Sequence, residues 1–149
     1  MNAVINFFKE KRVFVTGHTG FIGSWLTKWL TMLDANVCGY ALDPPTQPSL
    51  YETTKLSSEI LDVRADIRNS ATLRKTITKF QPQIVIRLAA QPIVLESYDD
   101  PVSTFDVNVN GTVNLLNEIR KIPNVTEVIV VTSDKSYKNK DLFNILGVS

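Results

Sequence analysis

This 149-residue chain holds a single cysteine, Cys38, which excludes an intramolecular disulfide. Cys38 falls within an apolar run and reads as a small core residue. Charge of neither sign dominates. The formal net charge is +1 with no basic block, so the composition expected of a nucleic-acid or anionic-membrane binder is missing. No run approaches the ~18 apolar residues of a membrane-spanning helix. The apolar piece between Met1 and Lys11 is too short for a signal peptide, and its charges fall on the wrong side. Repeats and low-complexity tracts are lacking, and no metal site is expected. What is present is ordinary for a packed domain, with 44% apolar and 21% charged residues. One soluble, cytoplasmic domain is the expectation.

Glycine is also scarce, at six residues, yet three of the six, Gly17, Gly20 and Gly23, stand in one seven-residue stretch. Residues 12 to 23 read Arg-Val-Phe-Val-Thr-Gly-His-Thr-Gly-Phe-Ile-Gly, and the amphipathic stretch Ser24 to Leu33 comes next. Strand, glycine turn and helix in that order suit a phosphate-bearing cofactor. Gly17 takes a tight turn, Gly20 lets the backbone approach a pyrophosphate, and Gly23 lets the helix pack close. The helix start then offers unpaired N–H groups and partial positive charge. The spacing is Gly-x-x-Gly-x-x-Gly rather than Gly-x-Gly-x-x-Gly, and no Gly-Lys-Ser/Thr closes it to make a P-loop.

Strand and helix patterns alternate along the chain. Strands are expected at 12–16, 36–42, 59–63, 83–88 and 127–132, and helices at 21–33, 70–80 and 101–121. Three strands are continuous apolar runs of the kind buried on both faces of a parallel sheet. In the last helix Val109, Val113, Leu116 and Ile119 trace an apolar stripe. Segment 44–58, with Pro44, Pro45 and Pro48, reads as a loop. The fold class is α/β, a Rossmann-like doubly wound parallel sheet ending after about the fifth strand.

Ligands bind such sheets beyond the carboxyl ends of the strands, and candidate residues cluster there. Asp43 comes after the second strand, 20 residues beyond Gly23. It either accepts hydrogen bonds from an adenosine ribose or starts the turn Asp-Pro-Pro. In the first role it would repel a 2′-phosphate, favouring NAD over NADP. Asp66-Ile67-Arg68, after the third strand, holds an adenine edge or is a solvated loop. Leu88-Ala89-Ala90-Gln91 comes after the fourth, where small residues leave room for a ring or serve tight packing. Asn108 lies inside the last helix, facing solvent or a small site near the sheet. Thr132-Ser133-Asp134-Lys135 comes after the fifth strand, either as a polar turn or as an acid and base that tune each other.

With these clusters in place, the chain resembles the extended short-chain dehydrogenase/reductase family, and within it the sugar-nucleotide 4,6-dehydratases. Val15-Thr16-Gly17-His18-Thr19-Gly20-Phe21, Gly39-Tyr40-Ala41-Leu42-Asp43-Pro44-Pro45-Thr46, Leu88-Ala89-Ala90-Gln91-Pro92 and Val131-Thr132-Ser133-Asp134-Lys135 carry the resemblance. It covers roughly residues 8–138. The resemblance implies bound NAD, held by Gly17, His18, Thr19, Gly20, Phe21, Ile22, Gly23, Asp43, Asp66, Ile67, Leu88, Ala89, Ala90, Gln91 and Asn108. It implies a nucleotide-sugar substrate, CDP-glucose, and a homodimer through the 101–121 helix. It further implies a lyase reaction: oxidation at C4, loss of the C5 proton and the 6-hydroxyl, and return of the hydride to C6. Ser133 would bond the 4-hydroxyl, Asp134 would protonate the departing 6-hydroxyl, and Lys135 would serve near C5. The place implied is deoxysugar biosynthesis for lipopolysaccharide O-antigen.

The sequence departs from that pattern at several points. The family's Tyr-x-x-x-Lys pair is missing after residue 132. Tyr51 and Lys55 have that spacing but lie in the proline-rich segment, so the match reads as coincidence. Arg87 stands where the family has His, and Leu95 near where it has Arg. The expected division is an incomplete NAD-binding domain over 1–140, a divergent tail over 141–149 and no substrate domain. The expected consequence is a chain without dehydratase activity.

Overall fold

A computed structural model describes residues 6–132. Five strands, β1 (Arg12–Thr16), β2 (Asn36–Ala41), β3 (Leu61–Arg64), β4 (Ile84–Arg87) and β5 (Glu127–Val130), form one parallel sheet in the order β3-β2-β1-β4-β5. β1 is central, with Phe14 opposite Cys38 on one side and Val85 on the other. The order reverses between β1 and β4. There the chain's connections leave in opposite directions, and a crevice opens above the strand ends.

Burial on both faces explains why β1 is apolar without alternation. Phe14 joins Cys38, Tyr40 and Val85 on one face, under Leu73, Ile77, Leu115 and Ile119. Val13 and Val15 join Val37, Ile84 and Ile86 on the other, under Leu30. Period-2 side chains thus feed two cores rather than one core and solvent. Leu30 comes from α1 (Phe21–Met32) on the second face. Leu73 and Ile77 come from α3 (Ser70–Phe80), and Leu115 and Ile119 from α6 (Gly111–Ile119), on the first. Asn69 caps α3 by accepting from the Thr72 amide at 3.0 Å, and the helix stops at Gln81 before Pro82.

The structure corrects four expectations. Segment 44–58 is not all loop. It contains α2 (Leu50–Thr53) and a 3-10 turn (Leu56–Ser58). Ser49 starts α2 with a capping box: its hydroxyl accepts from the Glu52 amide at 3.2 Å and donates to the Glu52 carboxylate at 3.1 Å. A further helix, α4 (Val94–Asp99), precedes the long one. The helix expected over 101–121 is three pieces: α5 (Pro101–Phe105), a π turn (Asp106–Asn110) and α6. Finally, of the expected apolar stripe only Ile119 faces the core. Val109, Val113 and Leu116 are exposed, and Gly111, Leu115, Glu118 and Ile119 point inward. The π turn holds one more residue than an α turn, which rotates α6 by about 100° relative to an unbroken helix.

Candidate functional site

The glycine turn leaves β1 at the switch point. Gly17 has φ +76°, and a Cβ there would sit 2.7 Å from the Ala89 amide nitrogen. Both the turn and the closeness of the β4 exit therefore require glycine. The Gly17 amide donates to Tyr40 O at 2.9 Å, tying the turn to β2. Gly23 serves a different purpose from helix–sheet packing: a Cβ there would collide with the Gly17 carbonyl oxygen, so it lets α1 close over its own turn. Over Gly20 the space is open, with nothing nearer a Cβ than Gly17 O at 3.5 Å.

Gly20 is also the N-cap of α1, and it offers no side chain to the helix's first amides. No acidic residue lies in the first turn. The positive end of a 12-residue helix is thus left without a side-chain partner, beside Phe21 and Ile22, which are both exposed. Thr16 makes the floor of the crevice. Its Oγ1 accepts from the amides of Leu88 and Ala89, each at 3.2 Å, and so locks the exits of β1 and β4 together.

His18 sits in the turn, but its imidazole faces inward and is fully buried. Nε2 lies 2.8 Å from Asp62 Oδ1, and the ring fills the space where a Cβ on Gly39 would stand. Burial lowers the imidazole's pKa, and the opposing pull of Asp62 does not overcome it, so the contact is a neutral N–H donating to a carboxylate. Asp62 collects two further donors: Tyr51 Oη at 2.6 Å and Arg64 Nε at 3.1 Å. Burial raises the Asp62 pKa, but Tyr51, His18 and Arg64 outweigh it and hold the carboxyl below its usual range. The phenol of Tyr51 is pushed upward by burial and by Asp62, and it stays protonated. The Tyr51 ring packs edge-on against the His18 ring, with centroids 5.5 Å apart. Lys55 lies beyond the end of α2 at φ 53°, so the two do not form a Tyr-x-x-x-Lys pair on one helix.

Asp43 stands at the exit of β2 with its side chain 90% exposed, 3.8 Å from Arg64 Nη1. Asp66 is engaged with Arg68, accepting from its backbone amide at 2.8 Å and from Nη2 at 2.6 Å. The Arg68 hydrogen bonds hold the Asp66 carboxyl below its ordinary pKa. Ile67 is buried and closes on Gly111, where a Cβ would meet its Cγ2 at 2.7 Å. Asn108 neither faces solvent freely nor stands alone. It exchanges two hydrogen bonds of 3.0 Å with the backbone of Gln91.

Arg87 completes this end of the crevice. It is 4% exposed, and its Nη2 donates to the carbonyls of Asn108 at 3.2 Å and Val107 at 3.4 Å, both in the π turn. Desolvation lowers its pKa. Asp62 and Arg64 are not signalled by any motif. They do carry a hint, since two charges at alternate positions of a strand share one face. Ser133, Asp134 and Lys135 lie outside the described residues, as does the tail over 141–149. Among the described residues no helix is long and apolar enough to cross a membrane.

A parallel sheet ordered 3-2-1-4-5, with a glycine turn and an open helix start at its switch point, defines a Rossmann-like dinucleotide-binding domain. Comparison with known proteins makes the class more particular. The model of the GDP-mannose 4,6 dehydratase family matches residues 14–140, and the chain belongs to that family of short-chain dehydrogenase/reductase-type epimerases and dehydratases. CDP-glucose 4,6-dehydratase of Salmonella typhimurium is 50% identical over 136 residues, which are 91% of this chain and 38% of that protein. UDP-glucose 4-epimerase of Brucella ovis, solved in complex with NAD, is 31% identical with a TM-score of 0.73, over 85% of this chain and 37% of that one. UDP-glucose-4-epimerase of Stenotrophomonas maltophila, solved with NAD and formylated UDP-arabinopyranose, is 26% identical with a TM-score of 0.76. That match covers 88% of this chain and 39% of that one. The chain thus spans less than half the length of the relatives it matches.

Proposed function

We propose that this chain is the NAD-binding portion of a sugar-nucleotide 4,6-dehydratase whose substrate is CDP-glucose. The observation that carries the reading is the open α1 start above Gly17 and Gly20, in a chain that is 50% identical to a CDP-glucose 4,6-dehydratase. The residues fit the cofactor. The open backbone at Gly20 and the acid-free first turn of α1 receive the pyrophosphate, and Asp43 receives the adenosine ribose. The backbone around Ala89, Ala90 and Gln91, clamped by Asn108, lines the far side of the crevice.

NAD, when bound, supplies a hydride acceptor that also returns the hydride within one turnover. The chain's own groups hold the sugar and move protons. Ser133 bonds the 4-hydroxyl, Asp134 protonates the departing 6-hydroxyl, and Lys135 serves at C5, where a base needs a pKa depressed by desolvation. The sequence contains no Tyr-x-x-x-Lys pair after Thr132 to take the 4-hydroxyl proton, so the 149-residue chain alone turns over no CDP-glucose.

Calorimetric titration with NAD⁺ and then CDP-glucose tests this reading. NAD⁺ binding is expected, and turnover is not. Failure to bind NAD⁺ overturns the cofactor site, and 4-keto-6-deoxy product overturns the claim of inactivity. An epimerase reading is the alternative, since the two solved relatives above are epimerases. The Asp134-Lys135 pair argues for the dehydratase.

The partner proposed for the 101–121 helix is a second copy of the chain. Its exposed Val102, Phe105, Val109 and Val113 support that reading.

A further inference from the structure

We propose that Arg87, a buried positive charge behind the β4 exit, makes the crevice favour the reduced, uncharged nicotinamide over the oxidised cation. This rests on the reading of the crevice as an NAD site.

Arg87 ends β4, in register with Thr16 on one side and Val130 on the other. Val85, two residues earlier, belongs to the core under α3 and α6, and the period of the strand sends Arg87 to the same face. There its Nη2 reaches the π-turn carbonyls of Asn108 and Val107. Its Nε is buried with no hydrogen-bond partner among the described residues. What Arg87 lacks is an acid. None of the ion pairs among the described residues includes it. Asp106, in the same π turn, is taken by Arg68 at 3.7 Å and by the Asn110 amide at 2.8 Å. Glu118, on α6, is taken by Arg74 and Lys121.

Burial does not neutralise a guanidinium, as it can a lysine or a histidine. The two carbonyl dipoles solvate the charge without cancelling it. The histidine of the family pattern could stand neutral at this position, and arginine cannot. A full charge in low-dielectric surroundings acts across the neighbouring crevice. The crevice is close in the chain's own connections. Leu88 and Ala89, directly after Arg87, are tied to Thr16 at its floor, and Asn108, whose carbonyl Arg87 holds, clamps Gln91. A dinucleotide with its pyrophosphate at the α1 start and its adenosine at the β2 exit extends its nicotinamide toward this β4 side. The oxidised ring carries a positive charge and the reduced ring does not, so Arg87 opposes only the oxidised form.

The test is calorimetric titration of the 149-residue chain with NAD⁺, NADH and ADP-ribose, the last lacking the nicotinamide ring. The quantity that decides is the ratio of the NAD⁺ and NADH dissociation constants. NADH is expected to bind about tenfold more tightly than NAD⁺, the scale of one unit charge acting through an effective dielectric of about 20. Arg87→Met is expected to bring that ratio down by about tenfold with ADP-ribose affinity unchanged. Arg87→Lys keeps the charge and is expected to keep most of the ratio. Arg87→Gln removes the charge but can still donate to the π-turn carbonyls, and it carries the test if the Met variant does not fold. NAD⁺ and NADH binding equally to the wild type overturns the inference alone. So does a ratio that is the same in the wild type and the uncharged variants, whether because Arg87 serves only to hold the π turn or because an acid beyond Thr132 neutralises it. Binding of neither dinucleotide overturns the NAD reading and this inference with it.

Discussion

Asn108 and Gln91 exchange two hydrogen bonds of 3.0 Å, the Asn108 side chain donating to Gln91 O and accepting from Gln91 N. The pair joins the π turn to the exit of β4. The Asn108 carbonyl in turn accepts from Arg87 and from Thr112 Oγ1, at 3.2 and 2.6 Å. One residue thus fixes the path of the chain on the far side of the crevice.

Asn108→Ala removes both bonds to Gln91 and leaves two backbone groups to find water. The expected cost is about 1–3 kcal/mol, read as a lower urea midpoint. Asn108→Asp keeps the acceptor and loses the donor, and its midpoint should fall between the two. An unchanged midpoint in Asn108→Ala would show that the clamp contributes nothing.

Acid should weaken the fold through His18. Its pKa lies below the ordinary 6.5 because burial disfavours the imidazolium. The unfolded chain therefore takes up the proton more readily, and stability that is full above pH 6.5 is lost as pH falls through the folded-state value. Asp62, also lowered, gives way further down, as pH falls from its ordinary 3.8 through its own folded-state value. Thermal melts of the wild type and His18→Asn between pH 8 and about pH 5 check this, the variant being expected to show the flatter profile. Parallel profiles would remove His18 from the account.

The inward face of α6 is predicted to be far more sensitive than the outer face of α1. Leu115 is fully buried between α3 and the sheet, and Leu115→Ala is expected to cost about 2–5 kcal/mol. Met32 is 71% exposed, and Met32→Ala should stay within about 0.5 kcal/mol. Chemical denaturation of both variants measures the contrast.

The second-copy reading of the 101–121 helix predicts a dimer by light scattering. Phe105 and Val113 lie on its exposed face, and Phe105→Lys with Val113→Lys should give monomers with the wild-type circular dichroism spectrum. A wild-type chain that is monomeric at all concentrations would sink the proposal.

Much of the domain is legible in the chain, for local reasons. β1, the glycine turn and α1 succeed one another within 21 residues, and each is specified by neighbours in sequence. The 70–80 helix is legible through Asn69 and Pro82, whose effects are confined to one turn. The 44–58 segment reads as loop because three prolines hide the Ser49–Glu52 capping box that starts α2. In the stripe Val109, Val113, Leu116 and Ile119, only the last falls on the buried face, and the first three have the wrong phase. A helix with apolar residues on two faces does not reveal which one the sheet will take, and the π turn moves the phase again.

The site divides in the same way. Gly17, Gly20, Gly23 and Asp43 announce themselves through spacing, because a turn and a strand end are short-range events. The chain His18–Asp62–Tyr51 and the approach of Arg64 to Asp43 join residues from the β1 exit, β2, α2 and β3. No periodicity encodes such contacts, since they exist only once parallel strands are in register and bring distant residues to one edge. Sequence pattern was enough for the fold class and the place of a phosphate-bearing ligand. Which charges stand beside that ligand depended on the packing of strands far apart in the chain.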